Sequence, residues 1–491
     1  MHQLLYISDI LLQVFVHISQ LESRKSLAAL ARTCKTFHEL AMDLLWASTD
    51  FHGIQPLFGC VTRLHPLIYC DESDESDESD SDTELKCPWS QGVEPLSEHE
   101  VHQFLRHAAR VRSLDIWAWT EHHFHLLAVI PIGTCVFPRL LSLDWRVCND
   151  TRLDLFLHPT LRRCVLRFHF PLVPFIATYP VLESLSIGSR FNIEHTTNQL
   201  SLLSDTIRSC EHLKHLKCPP LDYEAWKHLS ELPTLVTLSI NGEMDNLLDR
   251  DNVNFAPFLN ITALYFCVHS AADIITLIQR SQFPSLKKFN MHVDALLWAE
   301  AEQLFHALSR CKETLEGIII SAQESIGHSL TAIRHFLCFV QLRTLDLGFP
   351  VHLDNDLLLE AIASWPYIRH LVLGGLNSER PTVTFGGLFS ALRQCPHLHT
   401  LELPIDAVNI DIDPEAKSFQ HTSLRYLDLS SFSHIADPEA VARIIFSMFP
   451  CIDGNGVDYN FHEPSLWPKV NDFLAQFAAG DPRIKSAAST T

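Results

Sequence analysis

No two cysteines in this chain stand three positions apart, although fourteen are spread from Cys34 to Cys451. Zinc ribbons and dithiol redox motifs need that close spacing, so neither is expected. Over 491 residues the cysteines are also too dilute for a disulfide scaffold. Phosphate-cradling and dinucleotide-binding glycine motifs are missing, as are GxSxG and HExxH. Catalytic residues, a cofactor and a metal are therefore not implied, even though three of the 29 histidines cluster as His122, His123 and His125. Positive charge is in short supply too: 37 Lys and Arg face 58 Asp and Glu, a net charge of -21. That balance argues against nucleic acid and against an anionic membrane surface as partners. No apolar run reaches the roughly eighteen residues of a spanning helix. The N-terminus has no secretory pattern of basic residues, apolar core and cleavage site. A reducing location, cytoplasm and/or nucleus, is the expectation.

What is present is a repeated phrase: an aromatic residue or Cys, Pro, x, Leu, x, x, Leu, x, Leu. The clearest copies are Tyr179 to Ile187, Leu232 to Ile240, Phe283 to Met291, Trp365 to Leu373 and Cys395 to Leu403. Looser copies place their first apolar residue at Val111, Leu140, Leu161, Leu213, Ile261, Leu315, Leu342 and Leu424. The mean period, about 26 residues, lies in the leucine-rich-repeat range. Helical stretches such as Leu200 to Cys210, Ala299 to Cys311 and Leu357 to Trp365 separate the phrases. The expected fold class is α/β. It is an irregular leucine-rich-repeat solenoid with parallel strands on the concave side and helices on the convex side. A break in curvature is expected near Asn246 to Leu259. Cys210 and Cys395 take the slot of Tyr179, Phe283 and Trp365, Cys311 stands one residue before it, and Cys164 and Cys218 sit at apolar strand positions. All five read as small buried hydrophobes.

Alternation within each phrase turns the two residues between the apolar positions to the concave face. Candidate contacts with a target protein there are Asp115, Asp144, Lys217, Tyr265, Asp346, Glu402 and Asp428. Trp117 joins them, since Trp117 and Trp119 would extend the first strand and aromatic residues anchor interfaces. Asp115 and Asp144 fall on adjacent repeats, as do Glu402 and Asp428. Neighbouring carboxylates repel unless a cation answers them, which points to a partner with a basic element.

Residues 71 to 84 are a low-complexity run with nine carboxylates in fourteen positions. Such a run has nothing to bury and reads as a disordered loop. Ser73, Ser76, Ser79 and Ser81 lie among the acids and are phosphorylation candidates.

The N-terminal stretch is helical in pattern. Ile7, Ile10, Leu11, Val14, Phe15 and Ile18 share one face, with Ser8 as N-cap. Leu27, Leu30, Ala31, Cys34 and Phe37 suggest a second helix from about Ser26. Ala41, Leu44, Leu45 and Trp46 suggest a third from about His38. Three helices in so short a stretch make a marginal core that gains from packing on something else. The run Ile7-x-x-Ile10-Leu11-x-x-Val14-Phe15-x-x-Ile18, then Ser26-Leu27-x-x-Leu30-Ala31-Arg32-Thr33-Cys34-Lys35-x-Phe37, then Leu44-Leu45-Trp46, resembles an F-box. It is closest to the F-box proteins of mushroom-forming (basidiomycete) fungi. The usual Leu-Pro opening is Ile7-Ser8 here, where a serine N-cap serves the same first turn. The resemblance implies docking to a Skp-type adaptor and, through it, a cullin. It implies that Ile7, Ile10, Leu11, Phe15 and Leu27 contact the adaptor. Leu30, Cys34, Phe37, Leu45 and Trp46 would then be internal packing.

The expected layout is an F-box-like helical domain over 1–62, an acidic linker over 63–97, about thirteen repeats over 98–455 and a C-terminal cap and tail over 456–491. The function that the resemblance implies is that of a non-catalytic substrate receptor in a Skp–cullin–F-box ubiquitin ligase. A leucine-rich-repeat scaffold or an inhibitor outside ubiquitin chemistry is the alternative.

Overall fold

The protein's structure, a computed structural model, describes residues 8–20, 24–49, 53–69, 89–131, 133–147, 152–167, 181–188, 197–242, 255–326, 332–349, 351–374, 381–413, 419–429, 435–452 and 466–480. Ile7, the acidic run with Ser73, Ser76, Ser79 and Ser81, and most of the stretch from Asn246 to Leu259 lie outside the described residues. The chain divides into two compact units, Met1–Ala225 and Trp226–Thr491.

The first unit opens with three helices, α1 (Ser8–Gln20), α2 (Arg24–Ala31) and α3 (Lys35–Leu45). Their apolar faces meet around Phe15, Ala31 and Ala41, with Phe37 edge-on to Phe15 at 5.4 Å. The second helix stops earlier than the apolar spacing suggests. The Arg32 and Thr33 amides turn back to the Ala29 and Leu30 carbonyls at 3.0 and 3.1 Å, and Thr33 Oγ1 donates to the Leu30 carbonyl at 2.8 Å. This tightened turn satisfies the helix end. Cys34 is extended and precedes α3, so Cys34 and Phe37 belong to the third helix rather than the second. Two one-turn helices with proline in the first turn follow, α4 (Gln55–Phe58) and α5 (His65–Ile68). Next comes α6 (Glu98–Ala108), started by a capping box between Ser97 and Glu100. Arg63 grips Glu100 through Nε and Nη2 at 2.8 and 3.2 Å. The same Nη2 donates to the Glu94 and Pro95 carbonyls.

Five parallel strands complete the description: β1 (Ser113–Trp117), β2 (Ser142–Arg146), β3 (Arg163–Arg167), β4 (Ser184–Gly188) and β5 (His215–Cys218). Each neighbours the next in chain order. A forked hydrogen bond enters every pair. Arg112 O accepts from the Leu141 and Ser142 amides at 2.8 and 3.0 Å, and Leu141 O from Arg162 and Arg163, both at 2.9 Å. Arg162 O and Glu183 O repeat the pattern for the next two pairs. The series begins in the helical head: Ala47 O accepts from the Arg112 and Ser113 amides, both at 2.9 Å. Ser48 then bridges Ser113 in parallel. The head thus stands where a preceding repeat would stand and closes the β1 edge. Side chains reinforce the joint. Arg110 pairs with Asp43 and, at 2.6 Å, with Glu39; Arg139 reaches Asp43 at 3.2 Å. Trp46 lies on His107 at 4.8 Å.

The second unit holds β6 (Thr237–Asn241), β7 (Ala263–Ser270), β8 (Lys288–Leu297), β9 (Gly317–Ile326), β10 (Thr344–Gly348), β11 (His370–Gly374), β12 (Thr400–Glu402) and β13 (Tyr426–Asp428). These strands are also parallel and in chain order. Helices such as Asn355–Ser364 and Phe385–Leu392 bury Leu357, Leu358, Ile362, Leu388 and Leu392. All thirteen strands start two residues past the first apolar position of a phrase. Within them one side alternates buried and the other accessible, so the apolar rows face the core and the intervening residues the open face. Strands β7 to β9 run to eight or ten residues because alternation continues through Phe266 and Val268, Met291 and Val293, and Ile320. After β1 a 3-10 segment, Ala118–Leu127, replaces the expected extension, so Trp119 is not part of the strand.

Cys164, Cys210, Cys218, Cys311 and Cys395 are all buried. Burial pushes the Cys164 and Cys395 thiols up to about 12 and those of Cys210 and Cys311 to about 11. They pack and stay protonated rather than react. Among the described residues no helix is long and apolar enough to cross a membrane.

His122, His123 and His125 do not converge. His123 is 3% exposed, stacked on Trp89 at 4.5 Å, with Nδ1 2.7 Å from Ser90 Oγ. His125 is exposed and turns to the Val93 and His122 carbonyls. Burial, aided by the two neighbouring histidines, holds the His123 pKa down at about 4. A depressed histidine stabilises the fold fully above its ordinary range, about 6.5, and that stability is lost as pH falls towards the folded value. The urea midpoint of the wild-type chain is expected to fall between about pH 6.5 and about pH 4, with a shallower fall in His123→Phe. Parallel pH profiles of the two proteins would contradict the assignment.

Candidate functional site

The open faces of the two units carry the polar residues that the repeat phrase predicts. In the first unit, strand register places Asp115 opposite Asp144, then Val165, Ser186 and Lys217 in one row across β1 to β5. In the second, Ser239, Tyr265, Asn290, Ile319, Asp346, Val372, Glu402 and Asp428 form the equivalent row across β6 to β13. Seven of the eight predicted contacts therefore share a row within their own unit. Trp117 sits one step along β1, paired with Arg146.

The Asp115–Asp144 pair is answered from within the chain. Arg146, two residues past Asp144 on the same strand, places Nη2 2.7 Å from Asp144 Oδ2 and Nε 3.1 Å from the same oxygen. Its guanidinium lies 3.8 Å above the Trp117 ring, a cation–π contact. Arg167 on β3 stands 3.9 Å from Asp144 Oδ1. The hydrogen bond to Asp144 and the nearby charge of Asp115 raise the Arg146 pKa despite its partial burial. The adjacent acids thus do not by themselves demand a basic partner. Arg146 is hydrogen-bonded to Asp144 and feels the charge of Asp115, and Trp117 lies against its guanidinium.

Asp346 stands between Ile319 and Val372 on the adjacent strands, and burial raises its carboxyl pKa. Glu402 leans over Gly374, where a Cβ would come within 2.7 Å of Glu402 Oε1. On the longer β7 to β9, Cys267, His292 and Ser321 share a row, with His292 Nδ1 2.7 Å from Ser321 Oγ. His269 and Asp294 lie beyond them, 3.7 Å apart.

In the head, three of the five residues named as adaptor contacts are buried. Leu11, Phe15 and Leu27 are each 2% exposed. Phe15 sits in the core that the helices share, since so small a core needs its large apolar groups inside. The apolar side chains that α1 leaves outside are Leu12 and Val14, 41% and 45% exposed. Ile10 lies on α1, but its side chain is outside the description.

Two open-face residues per phrase leave Arg146 and Arg167 unassigned, whereas Arg163 occupies the first of those two positions, in register with Ser142 and Ser184. Alternation carries the strand further, and a cation two places past a predicted contact was the available signal.

In Arg146→Met the two carboxylates would keep only the more distant Arg167, 3.9 Å from Asp144. A loss of about 1–3 kcal/mol in urea unfolding is expected. Asp144→Asn should restore part of it in the double variant. A double variant no more stable than Arg146→Met would refute the arrangement.

Comparison with known proteins bears on the N-terminal end of the chain. Residues 8–52 match the family model described as F-box-like. Among solved structures, an internalin (InlF) from Listeria monocytogenes is similar at 13% identity and a TM-score of 0.38, over 73% of this chain and 89% of that one. No curated protein matches. The chain carries an F-box-like domain at its N-terminus, followed by the parallel strands and helices of a leucine-rich-repeat fold.

Proposed function

We propose that this chain is the substrate-recognition subunit of a Skp–cullin–F-box ubiquitin ligase. The observation that carries the reading is the F-box-like match over residues 8–52 in a head that is hydrogen-bonded to the first repeat strand. The head would bind a Skp-type adaptor and, through it, a cullin, with Leu12 and Val14 supplying exposed apolar surface. The repeats would hold a target protein on the open face. Leu11, Phe15 and Leu27 support docking by keeping α1 in place. The subunit itself performs no bond chemistry. Its contribution to rate is proximity, since a bound target meets the transferring enzyme at a raised effective concentration. A cytoplasmic or nuclear site suits this role.

A second reading draws on the capping geometry. Ala47 and Ser48 protect the β1 edge whether or not an adaptor binds. A scaffold that keeps the head only as a cap would show the same joint.

The two readings part in a co-purification with a Skp-type adaptor. Wild type should retain the adaptor, and Leu12→Asp/Val14→Asp should lose it with an unchanged melting temperature, because both residues are exposed. Phe15→Asp is a poorer choice, as a charge at that buried position would unfold the head. Failure of the wild-type chain to retain the adaptor would leave the scaffold reading.

A further inference from the structure

The first unit concentrates cations where the chain as a whole is acidic. Residues 162–167, 183–188 and 214–218, the β3 to β5 segments, carry five Lys and Arg against one Glu in a chain of net charge -21. That single Glu183 is already held by Arg162 and Lys214 at 3.2 and 2.8 Å. The open face of β4 shows only small groups, Ser184, Ser186 and Gly188, and the space beyond Gly188 is empty to 4 Å among the described residues. Register sets exposed side chains on both flanks. Arg163 and His215 stand on either side of Ser184, Lys217 stands beside Ser186, and Arg167 beside Gly188. Neighbouring strands are about 4.8 Å apart, so this is a shallow trough one strand wide with cationic walls. Arg167 also stands 3.9 Å from Asp144. Arg163, His215 and Lys217 form no side-chain hydrogen bond or ion pair with any described residue. Arg163 and Lys217 flank β4 from its two sides, and cations so placed are stabilised when an anion lies between them.

We infer that the β4 trough binds a carboxylate-rich segment of a partner polypeptide, lying along β4 between Arg163 and Lys217. The inference rests on the reading of the open face as the target-binding face. It reverses the polarity expected there: the bound element is acidic, not basic. Two features favour a peptide over a nucleic acid. The trough is about one extended chain wide, and a net charge of -21 repels a long polyanion that cannot confine its charge to it. The hydroxyls of Ser184 and Ser186 on the floor offer hydrogen bonds that a peptide can use.

The test uses the full-length chain and a fluorescein-labelled deca-glutamate peptide, followed by fluorescence anisotropy, with deca-lysine and an oligo-dT strand as comparison probes. Deca-glutamate should bind, more weakly at about 200 mM than at about 50 mM salt. Arg163→Glu/Lys217→Glu should weaken binding at least about tenfold, and Arg163→Gln/Lys217→Gln should do so less. Arg280→Glu/Lys312→Glu makes the same charge change at exposed positions elsewhere and should leave affinity unchanged. Absence of deca-glutamate binding overturns the inference. So do equal losses in the two Glu double variants, preferential binding of deca-lysine, or oligo-dT binding as tight as deca-glutamate. Adaptor capture by the same proteins separates the two readings. Capture without peptide binding defeats the trough alone, and peptide binding without capture defeats the ligase reading alone.

Discussion

One carbonyl accepting two amides is the interaction on which the repeats depend. Each strand pair is entered through such a fork, from Ala47 to Arg112 and Ser113, from Arg112 to Leu141 and Ser142, and onward. In the second unit Arg343 O and Arg369 O do the same for the Arg369–His370 and His399–Thr400 amides. The fork fixes the strand start, because both donors must fall on the two residues just after the first apolar position. Strand start fixes register. Register decides which side chains share a row on the open face. The site's geometry thus follows from a backbone feature that involves no site side chain.

Electrostatics on the open face is arranged locally. Of the acids adjacent in register, Asp115 and Asp144, the second is hydrogen-bonded by an arginine two residues further along its strand. Arg163, one strand from Asp144, and Lys217, three strands from it, have no such answer among the described residues. A net charge describes solubility and long-range repulsion; it does not describe what a ligand one strand wide would meet.

The repeat fold was legible from the phrase itself, since a Leu-x-x-Leu-x-Leu pattern states where strands begin and which residues point inward. Strand ends were less legible. Nothing in the phrase marks the continuation of β8 to Leu297, whereas the apolar alternation through Val293 does. The head's three helices were readable from apolar spacing, but the break at Thr33–Cys34 was not. It is made by backbone and hydroxyl hydrogen bonds that leave the apolar pattern intact. The candidate site was legible as rows of positions and not as interactions, because which cation answers which acid depends on side-chain reach across strands. The burial of Leu11, Phe15 and Leu27 was concealed for a related reason. An amphipathic face shows that a helix packs, and leaves open whether its partner lies inside the chain or outside it.

The head's place in the hydrogen-bond series gives the F-box-like segment an obligation separate from docking. Ala47 O occupies the first fork, and Ser48 covers the outer side of Ser113. An array lacking residues before Val111 would expose the Arg112 and Ser113 amides on the rim of a parallel sheet, the kind of surface on which other chains add strands. The residues around Ala47 that seal the sheet therefore serve the repeats directly, whatever else the head binds.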